Sequence, residues 1–114
     1  MPSSSRTPDH PVEFIEKCLA EGKVLWSYHV NMRFRERPIT REMVLQAASR
    51  LELVEAYPED KYFPSYLLLA EARGIRFHVL IAADVSSDNV RVITTYIPES
   101  NEWESNLKTR KQRR

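Results

Sequence analysis

The sequence predicts an α+β domain, with N-terminal helices packed on a four-stranded antiparallel meander sheet and a short C-terminal helix. Three observations carry this expectation. Apolar residues recur at helical spacing early in the chain, as in Phe14, Ile15, Cys18 and Leu19. From Leu53 onward the period changes to alternation, with β-branched and aromatic residues prominent. Short polar turns join the alternating runs, which suits strands that pair with their sequence neighbours. Helices first and strands second is the order of an α+β layer arrangement.

The elements follow in order. Residues 1–10 hold two prolines and three consecutive serines without apolar periodicity, and are expected to be a disordered tail. A first helix starts at Pro11, a residue suited to a first turn, and stops before Gly22. Lys23 to Trp26 is extended, an edge strand or a connector. A second helix runs from Ser27, a good N-cap, to Arg37, where Pro38 ends it. Thr40 caps a third helix from Arg41 to Arg50, buried through Met43, Val44, Ala47, Ala48 and Leu51. Strands are expected over Leu53–Tyr57, Ser65–Arg73, Arg76–Asp84 and Val90–Ile97. Turns at Pro58–Lys61, Gly74 and Ser86–Asn89 separate them. The Arg76–Asp84 strand is the most apolar and belongs in the centre of the sheet. Asn101 to Leu107 reads as a final helical turn or two, with Trp103 packing back. The ordered domain is thus residues 11–107, followed by a basic tail at 108–114.

The chain has 114 residues, 42% hydrophobic and 29% charged, which fits one globular domain. No apolar run is long enough to span a bilayer. The N-terminus lacks a signal peptide's apolar core, so a cytoplasmic location is expected. One cysteine, Cys18, excludes an internal disulfide and a cysteine zinc cluster. No histidine and carboxylate cluster shows metal-ligand spacing, and no cofactor is implied. The formal charge is +1, yet five of the 17 cations lie in the last seven residues. The rest carries 12 cations against 16 acids, a net of −4. Such a tail, with Lys108, Arg110 and Lys111, can hold a phosphate backbone or serve as a solubilising end.

The second helix is the chemically richest stretch. His29, Arg33 and Arg37 are spaced four apart and share a face, while Val30 and Phe34 form the adjacent apolar stripe. A cationic ridge beside a buried stripe suits phosphate binding, and equally a plain solvated helix.

Several blocks resemble the bacterial domain-of-unknown-function family DUF4258. They are His29…Arg33…Glu36-Arg37-x-Ile39-Thr40; Tyr57-Pro58-Glu59-Asp60-Lys61 with Pro64-Ser65-Tyr66-Leu67; His78-Val79; Asp84; and Ile93-Thr94-Thr95-Tyr96-Ile97-Pro98 followed by Trp103. Pro38 stands where a glycine is common in the family. The resemblance covers about residues 24 to 104. It implies a fold similar to the small RelE-like and BrnT-like ribonuclease toxins, but no catalytic assignment.

Metal-free RNA cleavage needs a base for the ribose 2′-OH, an acid for the leaving oxygen and cations for the charged phosphorus oxygens. His29, His78 and Arg33 are the candidate catalytic groups, expected to meet in one groove. Arg37, Tyr57, Tyr96 and the tail cations are candidate RNA contacts. Each has a plainer role. His78 on an apolar strand is more often a hydrogen-bonded structural residue. The arginines can form surface ion pairs, and the tyrosines can be packing. Three classes follow: a toxin-like endoribonuclease with an antitoxin-like partner, a catalytically silent RNA- or protein-binding module, and a structural partner without a nucleic-acid role. The acidic body weighs against strong general RNA affinity.

Overall fold

A computed structural model describes residues 6–36 and 38–112 of the chain. Helix α1 spans Pro11–Ala20 and turns Ile15, Cys18 and Leu19 inward. Gly22, at φ +75°, takes the chain out of it, a conformation that penalises a side chain. Strand β1 is Val24–Trp26. Ser27 then opens α2, Tyr28–Glu36. The Val30 N–H donates to Ser27 Oγ at 3.0 Å, and the same hydroxyl donates to the Ile93 carbonyl at 2.7 Å. One serine therefore caps the helix and pins it to a strand.

Helix α3 is Arg41–Gln46, capped by Thr40, whose Oγ1 accepts the Met43 N–H at 3.2 Å. It stops short of Arg50 because the chain tightens: Ala48 N–H bonds Leu45 O and Arg50 N–H bonds Ala47 O, at i→i+3 spacing. The cap bond predicts a measurable cost. Thr40→Ala should lower the unfolding free energy by about 1 kcal/mol in urea denaturation.

The sheet contains β1 and four further strands, β2 (Glu52–Tyr57), β3 (Ser65–Ala72), β4 (Ile75–Asp84) and β5 (Asn89–Tyr96), in the order β1-β5-β4-β3-β2. Strands β2 to β5 pair antiparallel with their sequence neighbours. Strand β1 pairs parallel with β5, matching Val24 with Val90 and Trp26 with Val92. The expected four-stranded antiparallel meander is therefore corrected to a five-stranded mixed sheet. Three residues are too few to show a strand period, and the partner of β1 lies at the far end of the chain.

The expected C-terminal helix is also corrected. Residues 99–112 form turns and an antiparallel bridge between Trp103 and Arg110. Asn106 Oδ1 accepts the N–H groups of Lys108 and Thr109, and Leu107 sits at φ +60°. Local side-chain bonds of this kind compete with helix formation.

One face of the sheet carries the helices. Phe77, Val79, Ile81, Tyr66, Leu68, Val90 and Val92 meet Ile15, Val30, Met43 and Val44 there in a continuous buried cluster. Strand alternation and register send Glu55 and Tyr57 of β2, Leu67 and Leu69 of β3, His78, Leu80 and Ala82 of β4, and Arg91 and Tyr96 of β5 to the far face. The C-terminal segment lies over one part of this face, around His78. Among the described residues, no helix is long and apolar enough to cross a membrane.

Candidate functional site

Two groups of polar side chains stand out, one on each side of the sheet. The first is on α2. Val30 is its one buried residue, and Phe34 packs edge-to-face on Trp26 at 5.7 Å between ring centroids. The outward side is left with Tyr28, 81% exposed, and with exposed His29, Met32 and Arg35. Arg33 leans back onto the sheet: its Nε donates to the Thr95 carbonyl at 3.1 Å, and Nη1 lies 3.6 Å from Glu36. Arg33 and Tyr96 line a small concavity with Glu36, Pro38, Ile39 and Ile97. Arg41 stacks over Trp26 at 4.6 Å and donates to Asn31 Oδ1 at 2.8 Å.

The second group is on the far face. His78 is 0% exposed. Its Nε2 lies 2.7 Å from the Leu107 carbonyl, which can only accept, so Nε2 carries the proton. Nδ1 then accepts from the Tyr96 hydroxyl at 3.1 Å. The ring also meets Trp103 at 4.5 Å, edge-on. Trp103 is in turn covered by the Arg110 guanidinium at 4.5 Å. Arg110 forks onto Glu55, with Nε to Oε2 at 2.8 Å and Nη2 to Oε1 at 3.2 Å, and the Tyr57 hydroxyl donates to the same carboxylate. Lys108 closes the arrangement on Glu52 at 2.7 Å.

The electrostatics follow from this packing. Burial pushes the His78 pKa below its usual 6.5, against the raising effect of the Leu107 carbonyl. Arg110 holds the Glu55 carboxyl below its usual range. Burial, then the Glu55 carboxylate, raises the Tyr57 hydroxyl, and burial raises that of Tyr96. His78 is therefore neutral near pH 7 and has both ring nitrogens occupied. Since it is harder to protonate folded than unfolded, unfolding takes up a proton as pH falls below the unfolded value of 6.5. Its share of stability is complete above that pH and shrinks below it, by at most about 1.4 kcal/mol per pH unit. Urea denaturation at about pH 7.5 and about pH 5.5 should show this slope, and His78→Phe should remove it.

The nine sequence-derived positions thus divide. His78, Tyr57, Tyr96, Arg110 and Lys108 gather on the far face. His29 and Arg33 belong to α2 on the other side, with Arg33 bonded to the β5 backbone. Arg37 lies outside the described residues. Lys111 is exposed, its N–H bonded to the Glu102 carbonyl. Glu55, the carboxylate at the centre of the cluster, was not among the sequence-derived candidates. Its available signal was the polar side of β2, where Glu52, Glu55 and Tyr57 share the far face. Among the described residues, no group of three or more His, Cys, Asp or Glu could hold a metal ion.

A family model described as a domain of unknown function (DUF4258) matches residues 26–97, well over half of the chain. The chain belongs to this family. No curated protein and no solved structure matches it.

Proposed function

We propose that this DUF4258 domain is an RNA-binding module that presents α2 to a single strand and does not cleave it with the C-terminal segment in place. The observation that carries this reading is the outward side of α2. A tyrosine 81% exposed stands beside His29 and Arg35 on a helix whose one acid is Glu36. An exposed ring has no packing role, and base stacking on a tyrosine with an arginine two turns along the same helix side suits a single strand held without strict sequence choice. Arg33, although bonded to the Thr95 carbonyl and near Glu36, adds charge to the same helix, and Lys111 and, by its place in the sequence alone, Arg37 are further candidate phosphate contacts. The protein-binding and purely structural alternatives differ in salt dependence, since phosphate contacts release counterions. In fluorescence anisotropy with a labelled single-stranded RNA, Tyr28→Ala should weaken binding roughly tenfold. Equal affinity of wild type and variant, or no binding at low salt, would overturn the reading.

A toxin-like, metal-independent endoribonuclease is the second reading. One observation favours it: His78, Tyr96, Tyr57, Glu55 and Arg110 share one sheet face, the kind of acid, base and cation set that 2′-OH attack on a phosphate uses. His78 would serve as base or acid only after Leu107 releases Nε2. Neither His29 nor Arg33 accompanies His78, so this reading needs groups other than the sequence-derived trio. An antitoxin-like partner goes with this reading alone. RNA cleavage by the wild type, or by a variant with the C-terminal segment loosened, would favour it over binding alone.

A further inference from the structure

The far face has a second, uncovered part. The loop 58–64 and strands β3 to β5 enclose a cavity of about 220 Å³ beside Tyr57. Leu80, Ala82 and Ile93 make its apolar floor, and Phe63 and Tyr62 its aromatic wall. Tyr62 is 88% exposed, a ring held at the mouth without being packed away. The wall is built: Arg6 grips the loop through the carbonyls of Pro58, Asp60 and Tyr62 at 2.7, 2.7 and 3.1 Å. Asp60 also takes the Ser65 hydroxyl, which fixes the loop to β3.

The polar groups of the cavity are as specific. Arg91 lies over the Phe63 ring at 4.6 Å, and its Nη2 is 3.8 Å from Asp84. Its Nε is buried and has no hydrogen-bond partner. Asn89 Oδ1, two residues earlier on β5, is likewise buried without a partner, so the part of Arg91 that the cavity can use is the exposed end of its guanidinium. The Asp60 carboxylate supplies an acceptor in the same lining. Around the cavity the cations Arg91 and Lys61 are balanced by Asp60 and Asp84. A free anion gains little there. A flat neutral ring with donors and acceptors on its edge gains most.

We propose that this cavity takes one unpaired guanine base. Guanine offers N–H donors at N1 and N2 to a carboxylate and acceptors at O6 and N7 to a guanidinium. Its rings can stack on Phe63 and Tyr62 above the apolar floor. Adenine lacks the keto oxygen, and the pyrimidines offer a smaller stacking face. Presentation of the base on an RNA strand rests on the RNA-binding reading above, but the two sites are separate, since α2 packs on the other face of the sheet.

The test uses guanosine, which has no phosphate for the α2 cations to hold. Methyl NMR of the full chain should show saturable shifts at Ile93 and Leu80, unchanged between low and high salt. Adenosine, cytidine and uridine should bind several-fold more weakly. Arg91→Gln should weaken guanosine roughly tenfold through loss of a charge-assisted bond. Phe63→Leu should weaken it to a similar extent through loss of stacking, and unchanged methyl signals around Ile15 and Met43 would confirm that either variant is folded. No shift at millimolar guanosine, equal response to all four nucleosides, or shifts centred on α2 would overturn the proposal. Salt-sensitive RNA binding without a guanosine response removes the cavity and keeps the α2 reading. A guanosine response without RNA binding does the reverse.

Discussion

Trp103→Ala is expected to destabilise the protein by about 3–5 kcal/mol, the usual cost of removing a large buried aromatic side chain. Trp103 is 2% exposed although it lies outside every helix and strand. It packs edge-on against His78 and carries Arg110 on its other side. Removing the indole leaves a cavity over His78 and takes away the surface on which Arg110 is stacked. The segment is then left to polar ties, the Arg110–Glu55 and Lys108–Glu52 ion pairs and the bonds of His78 to Leu107 O and Arg76 to Ser105 O, and exposed ion pairs hold weakly. Urea denaturation gives the overall loss. Hydrogen exchange locates it: the Glu104 and Lys111 amides, bonded to Thr109 and Glu102, should lose protection while core amides of β4 keep theirs relative to global unfolding. A loss below about 1 kcal/mol, with these amides still protected, would mean that the segment is held by something other than Trp103.

The combined variant Tyr28→Ala with Arg35→Glu is expected to lose roughly 100-fold in affinity for single-stranded RNA. Base stacking on an aromatic ring is worth about 1–3 kcal/mol, and the charge reversal adds repulsion where a phosphate was held. Both side chains are exposed and neither contributes to the buried cluster, so stability should move by no more than about 0.5 kcal/mol. This separation makes the variant informative, because lost binding cannot be blamed on lost folding. Charge-neutral Tyr28→Ala alone should leave the salt dependence intact while weakening affinity. Arg35→Glu alone should change both.

The parts of the fold that were legible are those governed by local patterning. The nearly unbroken apolar runs of Ser65–Ala72 and Ile75–Asp84 reflect one face against helices and one against other cover, and the sequence shows both as buried strands. Strand β1 was legible only as an extended stretch, an edge strand or a connector, because three residues carry no period and its parallel pairing comes from β5. The C-terminal segment was misread for a related reason. Its conformation is set by Asn106 bonding to the backbone and by Trp103 and Arg110 meeting across the bridge, neither of which is a periodic signal. The same holds for the polar cluster. His78, Tyr57, Tyr96 and Arg110 could each be picked out by residue type, but that Arg110 returns from the tail to Glu55 is a tertiary fact. The basic tail illustrates the limit of charge counting: Lys108 and Arg110 are cations in the sequence and half of ion pairs in the fold. Arg91 and Phe63 gave no signal, since an arginine in a strand and a phenylalanine after a turn are ordinary on their own.

The most direct measurement is the RNA affinity of the wild type and of Arg35→Gln across a salt series. Two to three phosphate contacts on α2 predict that log K falls with log salt at a slope of about −1.4 to −2.1, and that Arg35→Gln makes it shallower by about 0.7. A slope near zero, or one that Arg35→Gln leaves unchanged, would contradict RNA binding through α2.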